Sequence, residues 1–255
     1  VNDAFSTSHR HHASVVGVPA LLPNAAGRLM QAELDALSRV LSHPDPPTMA
    51  IIGGAKISTK LKLIGNLIDH VEVIAIGGGM ANTFLYSQGI EIGTSICEPE
   101  MADEARAILA RANENSCEIL LPIDAMTLKN KGANEKPQIL PMQLIAPDTR
   151  ILDIGPASTN RVSNRMSDCR TLLWNGPMGM FETPPFDTST NFLAQKTAAM
   201  TQTGSLVSVA GGGDTLAALK HSGTDAQFTY VSSAGGAFLE WLEGRSLPGV
   251  EALKT

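Results

Sequence analysis

Met49-Ala50-Ile51-Ile52-Gly53-Gly54-Ala55-Lys56 is an apolar run that ends in two glycines, and this arrangement recurs along the chain. Short runs rich in Ile and Val are each followed by a turn and then by a stretch with helical spacing, a pattern typical of successive βα units. Because the runs are mostly continuously apolar, they suit strands buried on both faces of a parallel sheet. The predicted strands are residues 49–52, 71–76, 118–121, 151–154, 171–174, 206–210 and 228–231.

The alternation of strands and helices predicts an α/β fold. It leaves open whether the sheet closes, since an open doubly wound parallel sheet with helices on both faces and a (β/α) barrel both fit the spacing. Helices are predicted over residues 58–68 and 99–112, each after a strand. The interval 127–150 is polar and broken by prolines, so it is predicted to leave the sheet.

One amphipathic helix is predicted upstream of the first strand, over residues 27–41, with Leu29, Leu34, Leu37 and Leu41 facing inward. The breaker His43-Pro44-Asp45-Pro46-Pro47 follows it. We interpret this helix as a connector between domains.

Composition argues against several classes of function. With 43% hydrophobic and 17% charged residues, the 255-residue chain is predicted to be globular. A formal net charge of -6 without basic runs argues against a nucleic-acid or anionic-membrane surface. No apolar run reaches the roughly 18 residues of a membrane span. Cys97, Cys117 and Cys169 are scattered and odd in number, which favours free thiols in a reducing compartment, so we expect the cytoplasm.

Glycines cluster after four of the predicted strands. Ligands of open α/β sheets bind beyond the carboxyl ends of the strands, where glycine lets a backbone N–H approach a phosphate and a helix N-terminus adds positive partial charge. Each glycine could instead serve a tight turn or a close contact between helix and strand. The four equivalent positions favour a phosphate-bearing ligand, although no P-loop or dinucleotide fingerprint is present. The clusters are Gly53-Gly54-Ala55-Lys56, Gly77-Gly78-Gly79-Met80, Gly211-Gly212-Gly213-Asp214-Thr215 and Ser232-Ser233-Ala234-Gly235-Gly236.

Charged side chains near these clusters are the candidates for holding such a ligand. Lys56 and Lys60 are four apart at the start of a predicted helix, so they could clamp successive phosphates from one face or form a solvated helix start. Asp214 follows three glycines and could bind Mg²⁺ or cap the helix. Glu182 ends the loop that begins at Trp174, where it could accept hydrogen bonds from ribose hydroxyls or lie exposed on a surface turn.

Five motifs occur in the order found in one known family: Gly53-Gly54-Ala55-Lys56, Gly77-Gly78-Gly79-Met80-Ala81-Asn82-Thr83-Phe84, Trp174-Asn175-Gly176-Pro177-Met178-Gly179, Gly211-Gly212-Gly213-Asp214-Thr215 and Leu242-Glu243-Gly244-Arg245-Ser246-Leu247-Pro248-Gly249-Val250. Together they resemble phosphoglycerate kinase. The resemblance implies the doubly wound sheet rather than the barrel. It also implies a phosphotransferase with a carboxyl group as acceptor, which interconverts 1,3-bisphosphoglycerate plus ADP and 3-phosphoglycerate plus ATP in glycolysis and gluconeogenesis. A nucleotide-binding module without catalysis is the alternative, but the retained Lys56 and Asp214 favour the enzyme.

The resemblance implies a site for Mg²⁺ with ADP or ATP. The residues it implies to bind the nucleotide are Lys56, Lys60, Gly78, Gly79, Asn175, Pro177, Glu182, Gly211, Gly212, Gly213, Asp214 and Thr215. Lys56 is implied to lie nearest the transferred group and, with Gly213, to be catalytic. Asp214 is implied to hold the metal, with Thr215 beside it, and residues 211–213 to offer backbone N–H groups.

The remaining implied roles divide the nucleotide into its parts. Gly78 and Gly79 would line the adenine site, and Pro177 would border the adenosine. Glu182 would bind the ribose, and Asn175 would reach the phosphates.

The first residues of the chain resemble the last conserved stretch of the family's N-terminal domain, in which Arg10 would contact the acid substrate. The family's other acid-binding residues have no counterpart here, so 3-phosphoglycerate or 1,3-bisphosphoglycerate is expected to bind through an N-terminal domain that this chain lacks. The chain alone is therefore expected to carry the Mg-nucleotide site without turnover. The implied divisions are residues 1–25 as an N-terminal remnant, 26–42 as an interdomain helix, 43–232 as the nucleotide-binding domain and 233–255 as a C-terminal return segment.

Two further expectations concern these ends. Residues 1–25 and the C-terminal tail are expected to have few partners within the chain, which is expected to be a monomer. Ala234 stands where the family commonly has glycine, at a turn tied to domain closure, so the hinge is expected to differ in detail.

Overall fold

A computed structural model of the protein describes residues 1–129 and 135–254. The strands in these ranges are β1 (Thr48–Ile52), β2 (Val73–Ile76), β3 (Glu118–Leu120), β4 (Asp124–Lys129), β5 (Gln138–Pro141), β6 (Thr149–Ile154), β7 (Thr171–Asn175), β8 (Val207–Gly211) and β9 (Tyr230–Ser232). The α-helices are α1 (Val18–Leu21), α2 (Arg28–Leu41), α3 (Leu61–Leu67), α4 (Gly78–Ser87), α5 (Ala102–Glu114), α6 (Pro156–Ser167), α7 (Thr188–Gln202), α8 (Gly213–His221), α9 (Gly235–Leu242) and α10 (Pro248–Glu251).

Six strands form the main sheet, in the order β3-β2-β1-β7-β8-β9, and each neighbouring pair is parallel. The sheet is open, with β3 and β9 as its edges, so the doubly wound prediction is confirmed and the barrel is excluded. The chain runs outward from β1 to β3 and later returns to the other side of β1 with β7. Such a reversal of strand order leaves a crevice at the carboxyl ends of the two central strands, where open α/β sheets bind ligands.

Helices cover both faces of the main sheet because successive strand residues point to opposite sides. In β1, Ala50 and Ile52 pack in one core with side chains of α2, α3, α4 and α9. Met49 and Ile51 pack in a second core with α6, α7 and α8. The continuous burial of β1, β2 and β7 explains their unbroken apolar sequences.

A smaller antiparallel sheet, in the order β5-β4-β6, corrects part of the strand prediction. Residues 151–154 do form a strand, but they belong to this sheet and not to the parallel one. The interval 127–150 does leave the main sheet as predicted, and its polar pattern matches strands with one solvated face. Residues 130–134 of that interval lie outside the described ranges.

Helix α2 packs on the main sheet and buries Met30, Leu37 and Val40 in the first core. Leu29 and Leu37 were both expected to face inward. Leu37 is buried, but Leu29 is 67% exposed, so the prediction is wrong for Leu29. The buried stripe is shifted by one residue because Met30, and not Leu29, shares the face of Leu37 and Val40.

The expectation that the two ends of the chain have few partners is also wrong. Phe5 and Ser8 are buried, and the Ser8 carbonyl accepts a hydrogen bond from Gly249 N–H at 2.8 Å. The rings of Phe5 and Trp241 have centroids 6.4 Å apart. The two ends pack on each other because both carry apolar side chains, including Phe238 in α9.

Cys97, Cys117 and Cys169 are free, as predicted. Burial raises the pKa of both Cys117 and Cys169 to about 11, so these thiols stay protonated at neutral pH. Within residues 1–129 and 135–254, none of the helices has the length and apolarity that a bilayer crossing requires.

Candidate nucleotide site

A cavity of about 280 Å³ opens at the carboxyl ends of β1, β2 and β7, where the strand order reverses. Of the predicted site residues, the cavity is lined by Gly78, Gly79, Pro177, Glu182 and Asp214. The first glycine loop contributes Gly54 and Ala55 to the same lining. Glycines of the first two clusters line this cavity, and the third cluster reaches it through Asp214, whereas the cluster at residues 232–236 is not part of the lining.

Most glycines of the first two clusters are required by close contact between loops. A Cβ atom at Gly53 would overlap the Pro177 carbonyl oxygen. A Cβ at Gly78 would lie 2.6 Å from the Gly54 oxygen, and one at Gly79 would lie 2.6 Å from the Ala55 oxygen. Hydrogen bonds join the same loops, from Gly78 N–H to the Met178 oxygen at 2.8 Å and from Met80 N–H to the Gly54 oxygen at 3.0 Å.

Lys60 lies behind these loops and ties them together. Its ammonium donates to the Gly53 carbonyl at 2.5 Å, to the Asn175 carbonyl at 3.0 Å and to Asn175 Oδ1 at 2.5 Å. Burial lowers the pKa of Lys60 to about 8, against the charge of Asp214, which raises it. Because these bonds use all three N–H donors of an ammonium, contact between Lys60 and a phosphate would require one of them to be exchanged.

Lys56 is exposed in the loop after β1. Helix α3 begins only at Leu61, so Lys56 and Lys60 do not share one face of a helix, and this part of the prediction is wrong. The loop between them is anchored by buried Glu98, which accepts hydrogen bonds from Ser58 N–H at 3.0 Å and from the Ser58 hydroxyl at 2.5 Å. Hydrogen bonding to Ser58 and the nearby Lys56 charge lower the pKa of Glu98 although its burial acts to raise it.

The start of α8 differs from the other glycine loops. Gly213 is its first residue, and a Cβ there would meet nothing within 4 Å. The first N–H groups of a helix have no partner within the helix, so this end can offer them to an anion. Asp214 is exposed in the same turn.

Asn175 and Thr215 are buried and join the loops after β7 and β8. Asn175 donates from Nδ2 to the Gly211 oxygen at 2.7 Å. The Thr215 hydroxyl accepts from Gly176 N–H at 2.7 Å and donates to the Gly211 oxygen at 2.8 Å. In this arrangement both side chains support the loops, and neither lines the described cavity.

The carboxylate available near the cavity fits a magnesium ion that would be shared between the protein and a ligand. Among the described residues, no group of three His, Cys, Asp or Glu side chains comes together as a metal site. Magnesium commonly takes one or two carboxylates and completes its coordination with phosphate oxygens and water. The exposed carboxylate of Asp214, beside a helix end that could bind an anion, matches that requirement.

Part of the cavity lining is apolar. Ile96 is 59% exposed and Met180 is 39% exposed, and both line the cavity with Phe181. Exposed apolar side chains beside a cleft suit a flat ring such as a nucleobase.

Sequence reasoning did not identify Asp153 and Arg150, which both line the cavity from β6. The signal for Asp153 was available, because a carboxylate within the apolar run 151–154 must find hydrogen-bond donors if the strand is buried. Arg10 is exposed in the turn that follows Thr7 and is not part of the described cavity lining.

Comparisons with known proteins identify the family. The sequence model of the family described as "Phosphoglycerate kinase" matches residues 1–245. The chain is 54% identical over 253 residues to a protein of Rhodospirillum centenum named phosphoglycerate kinase. The aligned region covers 99% of this chain and 64% of the relative. The chain is 55% identical over 254 residues to the phosphoglycerate kinase of Granulibacter bethesdensis, again over 64% of that protein.

Solved structures are similar over the same extent. The structure of phosphoglycerate kinase from Coxiella burnetii superimposes with a TM-score of 0.93 at 41% identity, covering 98% of this chain and 64% of that one. The enzyme from Pyrococcus horikoshii gives a TM-score of 0.78 at 28% identity. This chain therefore spans slightly less than two thirds of the length of these relatives.

Proposed function

The chain belongs to the phosphoglycerate kinase family, and from that premise we propose that it carries the Mg-nucleotide site for reversible phosphoryl transfer. The reaction is between 1,3-bisphosphoglycerate with ADP and 3-phosphoglycerate with ATP, with a carboxyl group as acceptor. The observation that carries the proposal is that one cavity at the strand-order reversal combines apolar lining side chains with Asp214 and the open start of α8.

The apolar wall suits the adenine ring, and Glu182 on the same lining suits the ribose hydroxyls. The phosphates would then point to the start of α8, where backbone N–H groups and a magnesium ion on Asp214 neutralise their charge. Lys56, exposed on the loop anchored by Glu98, would contact the group that is transferred. Phosphoryl transfer has a loose transition state, so catalysis depends on alignment and charge neutralisation, and these residues would supply them for the nucleotide.

Further parts of the proposal follow from family membership. The acid substrate would bind through Arg10 and through a domain beyond these residues. We propose the domain divisions 1–25, 26–42, 43–232 and 233–255, and we propose that the protein is a monomer. We also propose a cytoplasmic location, with which the protonated free thiols are compatible.

The test is to measure Mg-ADP and Mg-ATP binding by calorimetry and turnover by a coupled assay. We expect this chain alone to bind both nucleotides but to give essentially no transfer to 3-phosphoglycerate. Holding two reactants in line is worth roughly 7 to 11 kcal/mol, and losing most of it lowers the rate by about five or more orders of magnitude. Joining the chain to the family's N-terminal domain should restore turnover.

Lys56→Ala in the joined protein should abolish turnover again, because it removes a cation from the transferred group. Lys62→Ala is the matched control, since Lys62 is an exposed lysine in the neighbouring helix α3. No nucleotide binding by the chain, or full turnover without the added domain, would contradict the proposal.

A further inference from the structure

Asp153 is the penultimate residue of β6 and lines the cavity, yet it is only 1% exposed. Its carboxylate accepts hydrogen bonds from Ile154 N–H at 2.9 Å, from Ser189 N–H at 3.0 Å and from the Ser189 hydroxyl. Ser189 is the second residue of α7, whose own N-cap residue, Asp187, makes no side-chain capping bond. Asp153 therefore caps the start of α7 from a different element.

The same carboxylate also contacts the loop that forms one wall of the cavity. A Cβ at Gly179 would overlap Asp153 Oδ1, so the loop passes directly over this side chain. One residue further on, Met180 N–H donates to the Leu152 oxygen of β6 at 2.8 Å. Asp153 thus bonds β6 to the start of α7 and packs against the loop 177–182, which is itself tied to α7 by a hydrogen bond from Met178 N–H to the Thr190 hydroxyl at 3.1 Å.

The charge of this carboxylate has little compensation. Asp187 at the start of α7 is the charged group that acts on it, and its negative charge disfavours ionisation. The other charged side chains that line the cavity are Arg150, Glu182 and Asp214. Burial raises the pKa of Asp153 to about 7, against the hydrogen bonds from Ser189 and Ile154, which lower it.

We propose that Asp153 is a positioning residue for the nucleoside end of the site, which in its ionised form holds the loop 177–182 and the start of α7 in the geometry that receives adenosine. This inference rests on the proposed function. An ionised carboxylate accepts charge-assisted hydrogen bonds from all three donors, whereas a protonated one donates to the Ser189 hydroxyl and leaves the two N–H groups with a weaker, neutral acceptor. Protonation near neutral pH therefore loosens the cavity wall without touching the phosphate end.

The first test uses Asp153→Asn, which keeps the shape but turns one oxygen into an amide that faces a donor. Equilibrium binding of Mg-ADP, Mg-ATP and Mg-tripolyphosphate is measured on the full chain. Both nucleotides should bind roughly five- to tenfold more weakly, by the same factor, because one buried donor loses its acceptor. Tripolyphosphate affinity should stay unchanged, since it has no nucleoside. Asp124→Asn is the matched control, a buried carboxylate of β4 that caps the start of α6 and does not line the cavity.

The second test separates positioning from a merely structural role. The dissociation constant of ADP is measured from pH 6 to pH 8 for Asp153→Asn and for the unaltered chain. The ratio of the two constants is compared across pH, because titration of the nucleotide affects both equally and cancels in the ratio. The ratio should fall toward one at pH 6, where the unaltered Asp153 is also uncharged. Should Asp153→Asn fail to fold, Ser189→Ala, which removes one bond and keeps the Ser189 N–H, should show the same pattern with a smaller loss.

A ratio that is constant with pH, or an equal loss of tripolyphosphate affinity, would overturn the inference while leaving the proposed function intact. Failure of the unaltered chain to bind ADP at all would overturn the proposed function, and the inference with it.

Discussion

Glycines at the ends of β1, β2 and β7 differ from the glycine that begins α8. At Gly53, Gly78 and Gly79, the space that a side chain would need is filled by backbone of a neighbouring loop. At Gly213 that space is empty. The same sequence signal, glycine after a buried strand, therefore has two physical causes in this protein.

The difference decides which glycines can act on a ligand directly. Loops packed backbone to backbone form the floor of the cavity, and their own hydrogen bonds already join them. An open glycine at a helix N-terminus leaves room for an anion to reach unbonded N–H groups. Replacing Gly53, Gly78 or Gly79 should therefore mainly lower the stability of the fold. Replacing Gly213 should mainly weaken nucleotide binding.

The largest expected effect is that of Gly53→Ala. The new methyl group overlaps the buried Pro177 carbonyl, and neither loop can move without breaking the hydrogen bonds between them. Overpacking of this kind costs about 3 kcal/mol or more. Thermal or urea unfolding should show this loss, or the variant should fail to fold. A stable Gly53→Ala variant with weakened nucleotide binding would contradict the assignment of Gly53 to loop packing.

Lys60 offers a second test, because its ammonium holds the packed loops together. Its pKa is about 8 in the folded protein and 10.5 as the ordinary value. Between these values the unfolded state binds more protons, so stability should rise with pH from about 8 to 10.5. A difference of 2.5 pKa units corresponds to about 3 kcal/mol at most.

The measurement is the free energy of unfolding from pH 7 to pH 11 for the unaltered protein and for Lys60→Met. Only the difference between the two curves reports on Lys60, since other groups titrate in this range. The unaltered protein should gain stability relative to the variant as pH rises. Parallel curves would show that folding does not lower the pKa of Lys60, which would contradict its burial among the loops.

Much of the fold could be predicted because it depends on local patterns. The apolar runs located the parallel strands to within about two residues. The runs could not show which sheet residues 151–154 join, since continuous apolarity reveals burial but not the neighbouring strand. The same limit applies to the helix face in α2, where Met30 and Leu29 are both apolar and only the packing of the sheet chooses between them.

The site was predicted less completely, because its key contacts connect distant parts of the chain. Lys60 and Asn175 are 115 residues apart, so no spacing rule could pair them. Ser189, which holds Asp153, is 36 residues away from it. Motifs could indicate which residues gather at the crevice, but not which of them bind each other and which remain open to a ligand.

The smallest effect on stability is expected for Gly213→Ala, which tests directly whether the open glycine acts on the ligand. The added methyl group meets no atom within 4 Å, so the free energy of unfolding should change by less than about 0.5 kcal/mol. The same methyl group stands where a phosphate would approach the first turn of α8, so Mg-ADP should bind roughly five- to tenfold more weakly, about 1 kcal/mol. Gly235→Ala is the matched control, because Gly235 is the first residue of α9 and its side-chain space is also empty. Calorimetry on both variants should show weaker binding for Gly213→Ala alone. If the two variants bind ADP equally well, the open space at Gly213 is a feature of the helix end and not of the site.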